Sequence, residues 1–192
     1  NLSLEEVGAP NTAAEGTVEC KFWGLGGDGT VGANKNSIKI IGDHTDLYAQ
    51  GYFEYDSKKS GGLTISHLRF GKNPIKSSYL IDQAEFIACH NPSYIDKGFK
   101  IVQDVKPGGT FLINCQWKPE EVGEHLDAAA KKYIADNNIN LYIIDAIDSL
   151  KDKAALILLA CKTKAKLFSS MGAALKLDPT RIKVAEFWKV AG

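Results

Sequence analysis

The chain has 192 residues, with 23 basic and 23 acidic side chains and therefore a formal net charge of zero. A balanced charge argues against a protein that binds nucleic acid or a membrane surface by bulk electrostatics. A hydrophobic fraction of 44% and a charged fraction of 24% are typical of a globular protein. This length is enough for one substantial α/β domain and marginal for two.

Residues 1–17 have the composition of a linker, rich in Ala, Gly, Pro and Glu without periodicity. The first residues lack the basic and apolar regions of a signal peptide, and no apolar run reaches the roughly 18 residues that a membrane span needs. We therefore expect a cytoplasmic location, no membrane partner and no nucleic-acid partner. Because the chain starts without Met, we interpret it as a segment of a longer polypeptide.

From residue 18 onward, strand-like and helix-like segments alternate. Strands are predicted at 18–22, 47–55, 63–70, 86–90, 109–115 and 141–145. Helices are predicted at 30–41, 94–105, 119–137, 149–168 and 179–190. This order predicts an α/β fold, a three-layer α/β/α Rossmann-like domain over 18–192 with a mostly parallel sheet. Segments 47–55 and 63–70 leave no room for a helix between them, so that pair is expected to be antiparallel and the sheet partly mixed.

A glycine-rich segment directly follows the first predicted strand. Gly24, Gly26, Gly27 and Gly29 lie within six positions, and Thr30 begins the first predicted helix. Backbone N–H groups in such a turn converge on an anion, because glycine reaches positive φ and has no side chain to block the approach. The spacing also fits the dinucleotide fingerprint. The segment thus predicts a phosphate or pyrophosphate site, the alternative being a tight turn that packs the helix on its strand.

Two charged residues bear on that prediction. Asp28 places a negative charge inside the loop, which argues against a bound anion. Lys35 follows one or two helical turns later, and we expect its ammonium to point back at the loop and offset Asp28. The spacing between the glycines and Lys35 is not that of a P-loop, and no Ser or Thr follows Lys35.

A second basic element lies between the predicted strands 47–55 and 63–70. It contains Lys58, Lys59 and Ser60, followed by two glycines. One interpretation is a solvated hairpin tip. The other is a second anion-binding element, which Arg69 at the end of the next strand would join, since lysine and arginine suit phosphate by charge and geometry.

The cysteines and histidines form no catalytic or metal-binding motif. Cys20, Cys89, Cys115 and Cys161 include no Cys-x-x-Cys pair, and we predict buried free thiols in a reducing compartment. His67 lies within a predicted strand, and His90 ends one just before an Asn-Pro pair. Neither has a nucleophile or acid placed as a partner in the sequence, so a structural or interface-lining histidine is favoured over a catalytic one.

Three of these segments also carry a family resemblance. The glycine loop, the stretch 48–70 and the run Ala88-Cys89-His90-Asn91-Pro92 closely resemble the gamma domain of the pyruvate:ferredoxin (flavodoxin) oxidoreductases, members of the 2-oxoacid:ferredoxin oxidoreductase family. That resemblance implies an enzyme of anaerobic metabolism, which converts pyruvate oxidatively to acetyl-CoA and CO2. It further implies thiamine diphosphate, Mg2+ and [4Fe-4S] clusters in the parent enzyme, with ferredoxin or flavodoxin as the electron acceptor.

For this chain, the resemblance implies a scaffold between the other domains or subunits and a share of the coenzyme A site. The candidate residues are those of the glycine loop with Lys35, and the basic turn with Arg69. No residues for thiamine, Mg2+ or clusters are evident in the sequence, so the isolated domain is expected to be inactive. The resemblance ends near residue 146, and 150–192 form a predicted helical tail that departs from the family pattern.

Two other functions stay open from the sequence. The first is a free-standing nucleotide-binding domain, for which Asp43, Asp46 or Glu54 would serve as the acid that contacts the ribose. The second is a non-catalytic interaction module of the kind found in sulfite reductase components.

Overall fold

The computed structural model describes residues 13–57 and 61–146, all of which belong to one compact unit. The predicted helices at 149–168 and 179–190, Cys161 and the first part of the predicted linker lie outside the described residues. The elements in chain order are β1 (Val18–Leu25), α1 (Thr30–His44), β2 (Tyr48–Tyr55), β3 (Leu63–Gly71), β4 (Ala84–Cys89), α2 (Ser93–Asp96), a 3-10 turn (Val102–Asp104), β5 (Val105–Asn114), α3 (Val122–His125), α4 (Ala128–Asp136) and β6 (Asn140–Ile144).

The six strands form one mixed sheet in the order β2-β3-β1-β4-β5-β6. β1, β4, β5 and β6 run parallel to one another. β3 is antiparallel to both of its neighbours, β1 and β2. The predicted α/β class, the mostly parallel sheet and the antiparallel pair formed by β2 and β3 are therefore confirmed.

Helices cover both faces of this sheet. A Cβ placed on Gly24 would lie 2.8 Å from Thr30 Cβ, and one on Gly51 would lie 3.3 Å from Ile38, so α1 packs on the face that these glycines share. Trp23, next to Gly24 in β1, must point to the opposite face. There it joins a buried apolar cluster with Ala130 of α4. The predicted three-layer α/β/α arrangement follows from this alternation.

Two predicted helices are shorter in the structure than their sequence pattern indicated. The segment predicted as helix 94–105 has helix only at Ser93–Asp96, because Gly98 turns into the left-handed region with φ of 73°. The segment 119–137 is divided into α3 and α4. Asp127 begins α4 as its N-cap, with Oδ1 accepting the Ala130 N–H at 2.6 Å, which favours a new helix start over continuation of α3.

Three of the four cysteines are described, and all three are free and buried, as predicted: Cys20, Cys89 and Cys115. Burial, together with the negative charges of Glu85 and Glu19, raises the pKa of the Cys20 thiol to about 12. Burial also raises the pKa of the Cys89 thiol to about 12. Both groups are therefore neutral thiols at physiological pH, which is typical of structural rather than reactive cysteines.

A network of ion pairs, buried at Arg69 and Glu19 and partly exposed at Lys106 and Glu85, joins four strands on the face opposite α1. Arg69 Nε of β3 donates to Glu19 Oε1 of β1 at 2.9 Å. Lys106 Nζ of β5 lies 3.0 Å from Glu19 Oε2 and 2.6 Å from Glu85 Oε1 of β4. The side chains of Arg69 and Glu19 are only 2% and 6% exposed. Two positive and two negative groups therefore compensate one another inside the sheet layer.

Candidate anion-binding site

The connections that follow β1 and β4 pass to opposite faces of the sheet, which makes the boundary between these strands a topological switch point. These strands are parallel neighbours, but α1 leaves β1 to cover one face, whereas α2 leaves β4 for the other. Tyr94 of α2 shows this, since it lies in the buried cluster with Trp23, and their rings are 6.5 Å apart. In open α/β sheets, ligands bind in the crevice at such a point, outside the carboxyl ends of the strands. The glycine loop and His90 flank this crevice.

The carboxylate of Asp28 occupies the centre of the glycine loop. Its Oδ2 accepts the Leu25 N–H at 2.7 Å, and its Oδ1 accepts the Thr30 N–H at 2.8 Å. Gly29, the N-cap residue of α1, permits this turn with a φ of 88°. Because it has no side chain, it cannot cap the first turn of the helix itself. Two backbone N–H groups of the loop, those of Leu25 and Thr30, therefore already bind an anionic group of the protein itself.

The two glycines that follow Lys58, Lys59 and Ser60 in the chain lie directly beside this loop. Gly26 N–H donates to Gly62 O at 2.7 Å, and Gly61 N–H donates to Gly26 O at 3.1 Å. Lys58, Lys59 and Ser60 lie outside the described residues, but the chain on the far side of the turn is anchored to the loop by these two hydrogen bonds. Gly61 and Gly62 are thus neighbours of the glycine loop in space, which their separation in the sequence did not indicate.

Lys35 and Thr30 have defined places on α1. The Lys35 ammonium lies 5.3 Å from the centroid of the Phe53 ring of β2, in a cation–π geometry. Thr30 is buried against Gly24, where its side chain fills the space that a Cβ would need. The alternative interpretation of the glycine segment, close packing of helix on strand, is therefore realised at Gly24.

The structure places Arg69 far from Gly61 and Gly62, the described glycines that follow the basic turn. Arg69 is 2% exposed and lies six residues beyond Leu63 in β3, or about 20 Å along the strand. Its partners are Glu19, the Tyr79 carbonyl at 2.9 Å and the Tyr79 ring at 4.7 Å. Arg69 consequently belongs to the ion network at the opposite end of β1 and β3 from the glycine loop, and not to the predicted anion-binding patch.

His90 and Asn114 form the other side of the crevice. The His90 ring stacks on Phe22 with centroids 6.2 Å apart. Burial lowers the pKa of the His90 imidazole, and the charge of Asp28 partly opposes that shift. Asn114 Nδ2 donates to the His90 carbonyl at 3.2 Å, while its Oδ1 accepts the Ala146 N–H at 2.9 Å. Sequence reasoning missed Asn114, although a polar amide that ends an apolar strand was the available signal.

Tyr94 was also missed by sequence reasoning. Its hydroxyl donates to the Gly24 carbonyl at 3.0 Å and fixes the end of β1 from the opposite face. A tyrosine within a predicted helix gives no sequence signal for such a bond, because the acceptor is 70 residues away.

The acids considered for a nucleotide ribose do not face the loop. Glu54 Oε1 is hydrogen-bonded to His67 Nε2 at 2.6 Å, on the face opposite α1. Asp43 lies in the last turn of α1, and Asp46 lies between α1 and β2, whereas the loop precedes the first turn of α1. This placement gives no support to the nucleotide-binding alternative.

His67 is a structural histidine, as expected from the sequence. The Ile81 N–H donates to its Nδ1 at 3.2 Å, so the proton is on Nε2, which donates to Glu54. The side chain is 2% exposed. Burial lowers the pKa of this imidazole, and the charges of Lys21 and Arg69 act in the same direction, while Glu54 opposes them.

This geometry predicts a loss of stability in mild acid. Because the pKa of His67 is lower in the folded state, the unfolded chain binds more protons below its own histidine pKa of about 6.5. The contribution of neutral His67 to the free energy of unfolding should therefore be fully present above about pH 6.5. It should decrease as the pH falls below that value. Urea unfolding between pH 7.5 and 5 measures this dependence. His67→Gln should reduce the slope and leave the part that comes from His90, whose pKa is lowered in the same direction. An unchanged slope in that variant would contradict the assignment to His67.

The described residues offer no obvious metal site or membrane span. Within residues 13–57 and 61–146, no group of three or more His, Cys, Asp and Glu is arranged to hold a metal ion. In the same part of the chain, no helix is both long and apolar enough to cross a membrane.

Solved structures share this fold at low sequence identity. A pyruvate oxidoreductase subunit from Thermotoga maritima superposes with a TM-score of 0.52 and 16% identity, covering 80% of each chain. A 2-oxoglutarate:ferredoxin oxidoreductase from Magnetococcus marinus, determined with 2-oxoglutarate, coenzyme A and succinyl-CoA bound, gives a TM-score of 0.51 and 15% identity over 73% of this chain and 22% of that one. The fold is thus shared with these two oxoacid oxidoreductase structures.

The sequence places the chain in a particular family. The model of the pyruvate ferredoxin/flavodoxin oxidoreductase family matches residues 19–185, so the chain belongs to that family. The pyruvate:ferredoxin oxidoreductase of Moorella thermoacetica is 62% identical over 147 residues, and the pyruvate-flavodoxin oxidoreductase of Enterobacter agglomerans is 61% identical over 137 residues. These matches cover 77% and 71% of this chain but only 12% of each relative. The family match also extends beyond residue 146, where the motif resemblance ends.

Proposed function

We propose that this chain acts as one domain of a pyruvate:ferredoxin or pyruvate:flavodoxin oxidoreductase. The complete enzyme would decarboxylate pyruvate oxidatively, transfer the acetyl group to coenzyme A and pass two electrons to ferredoxin or flavodoxin. This domain would scaffold the other domains or subunits and form part of the coenzyme A site. Membership of the family and sequence identities of 62% and 61% to two such oxidoreductases support the proposal.

The contact between the glycine loop and the basic turn is the observation that carries the coenzyme A assignment. Reciprocal hydrogen bonds between Gly26 and the pair Gly61 and Gly62 hold these two glycines beside the crevice at the carboxyl ends of β1 and β4. Lys58, Lys59 and Ser60 would then present two ammonium groups and a hydroxyl next to a site where α/β folds bind ligands. Phosphate groups are the ligands that such donors favour.

The position of Asp28 determines which element, the glycine loop or the basic turn, would bind the phosphates. Its carboxylate already accepts the Leu25 and Thr30 N–H groups, and its charge repels a second anion at that point. The phosphates of coenzyme A are therefore assigned to Lys58 and Lys59. Gly24, Gly27, Gly29 and Thr30 shape the adjoining wall of the crevice.

The remaining chemistry is assigned to other parts of the longer enzyme. Within the described residues, no cluster of ligands fits Mg2+ or a [4Fe-4S] cluster. Thiamine diphosphate, which supplies the carbanion-stabilising chemistry in the family, would likewise be held by another domain or subunit. This chain's own residues would act by binding coenzyme A and by excluding water from the crevice.

Alanine at both Lys58 and Lys59 tests the coenzyme A assignment. The double variant of the complete enzyme should bind coenzyme A more weakly by about 1–3 kcal/mol, since charge-assisted hydrogen bonds to phosphate are lost. Its melting temperature should stay nearly unchanged, because surface substitutions contribute little to stability. Isothermal titration calorimetry with coenzyme A measures the first quantity and differential scanning calorimetry the second.

Two further variants make this experiment decisive. Lys132→Ala removes an ammonium that is 77% exposed on α4, and it should leave the coenzyme A affinity unchanged. Lys35→Ala tests whether the ammonium over Phe53 also contributes to the anion site, in which case affinity falls while the fold survives. Wild-type affinity in the Lys58 and Lys59 double variant would leave the turn a solvated hairpin tip and would remove the coenzyme A assignment.

A further inference from the structure

One edge of the sheet exposes an unusual concentration of large side chains. We call this surface the aromatic edge and define it as β2 with Tyr48, Tyr52, Tyr79 and Leu80. These four side chains are 51%, 56%, 44% and 39% exposed. β2 is the first strand in the sheet order, so in the described part of the chain it has a strand neighbour, β3, on one side only. Exposed tyrosines beside an open strand edge are typical of an interaction surface.

The sequence of β2 lacks the features that protect edge strands from pairing. Natural edge strands carry lysine, proline or a bulge that prevents the addition of another strand. β2 reads YAQGYFEY and contains one charged residue, Glu54, which is engaged with His67 at 2.6 Å. Its pairing with β3 is continuous from Tyr48 to Tyr55. The outward backbone groups of β2 are therefore suited to hydrogen bonding with a further extended segment.

A cavity beside β2 adds a pocket for one side chain of that segment. Its volume is about 260 Å3, and Tyr52, Tyr79 and Leu80 contribute to its wall. Gln50 Nε2 donates to the Ser77 carbonyl at 2.9 Å and fixes the opposite wall to β2. A pocket of this volume has room for one large apolar side chain.

The area of the aromatic edge indicates the kind of partner. Its four side chains expose on the order of 300–400 Å2, taking about 150–250 Å2 for each aromatic side chain. A stable dimer of separate proteins buries about 800 Å2 per partner. A segment of the same polypeptide needs far less contact, because the covalent connection supplies a high effective concentration. The relatives have such segments, since the matched region is only 12% of their length.

We infer that the aromatic edge is the docking surface for an extended segment from another domain of the same oxidoreductase chain, a proposal that rests on the proposed function. The segment adds a strand to β2 and places a large apolar side chain in the cavity lined by Tyr52, Tyr79 and Leu80. This addition would tie the domain to the rest of the enzyme at the edge remote from β6.

Hydrogen exchange in the full-length enzyme tests the strand addition. Peptides covering residues 48–55 are monitored by mass spectrometry in the unmodified enzyme, in Tyr52→Lys and in Leu80→Ala. Both variants should accelerate exchange of the outward β2 amides at least tenfold while β1 and β4 stay protected. Leu80→Ala leaves the strand sequence intact, so it separates loss of docking from unfolding of β2. Tyr142→Lys is the matched control, a tyrosine 59% exposed on β6, and should change nothing at β2.

Three outcomes would contradict the proposal that the aromatic edge is a docking surface. One is fast exchange of alternate β2 amides in the unmodified enzyme, and another is unchanged protection in both variants. The third is protection that depends on enzyme concentration, since this would indicate a second copy as the occupant. Pyruvate-dependent dye reduction in the same preparation separates the two proposals. Activity with unprotected β2 refutes only the docking surface, and protected β2 without activity refutes only the proposed function.

Discussion

Replacing Arg69 with leucine is expected to lower the free energy of unfolding by about 3–5 kcal/mol. The change leaves the Glu19 carboxylate, 6% exposed, without its nearest cation and with only Lys106 as a partner. It also removes the hydrogen bond to the Tyr79 carbonyl. Removing one member of a buried pair is costly because the remaining charge has no water to replace the lost partner. Urea denaturation of wild type and variant at pH 7 measures the difference.

Two companion variants identify the cause of that loss. Lys132→Ala breaks an exposed pair with Asp136 and should leave the free energy of unfolding within experimental error. Glu19→Leu combined with Arg69→Leu removes both charges of the buried pair and should be less destabilising than the sum of the single changes. Additive losses in the double variant would show that packing rather than the unpaired charge explains the effect of Arg69→Leu.

Replacing Gly24 with alanine is expected to lower the free energy of unfolding by about 1–3 kcal/mol. The added Cβ would lie 2.8 Å from both Cβ and Oγ1 of Thr30, closer than real Cβ contacts allow. Thr30 is buried and its N–H bonds Asp28, so relief of the contact must displace the start of α1 from β1. The variant should therefore also disturb the crevice wall. Chemical denaturation gives the stability, and coenzyme A titration of the full enzyme gives the effect on the site.

Gly32→Ala provides the matched control for this change. It adds the same methyl group eight residues away, on α1, where nothing lies within 4 Å of the new Cβ. Alanine replaces glycine in a helix with a gain of about 0.5–1 kcal/mol, so this variant should be slightly more stable than wild type. Equal destabilisation by both substitutions would argue that the helix as a whole, and not the contact of Gly24 with Thr30, limits the packing.

Local sequence predicted most of the strands and the parts of the site that depend on backbone conformation. The short connection between β2 and β3 excluded a crossover helix and so fixed their antiparallel pairing. The glycine spacing predicted a sharp turn, and Gly29 has the positive φ that such a turn needs. Helix ends were less predictable. The interruption at Gly98 and the cap at Asp127 depend on where the following segments must pack, which periodicity alone does not contain.

The electrostatic outcome of the site was decided by tertiary structure. Asp28 could repel a ligand or satisfy the loop's own donors, and only the turn geometry shows that it accepts the Leu25 and Thr30 N–H groups. Arg69 carried the same charge as Lys58 and Lys59 in the sequence. Its carboxylate partner, Glu19, is 50 residues away, so the register of β3 on β1 had to be known before Arg69 could be placed.

The amino-acid sequence was therefore enough to predict the fold class, the family and the two segments of the candidate site. These features depend on local conformation and on motifs, both of which are written in consecutive residues. The contacts between distant parts of the chain, namely Gly26 with Gly62 and Arg69 with Glu19, became known from the three-dimensional arrangement. Such contacts depend on strand order and register, and these are set by the packing of the whole domain.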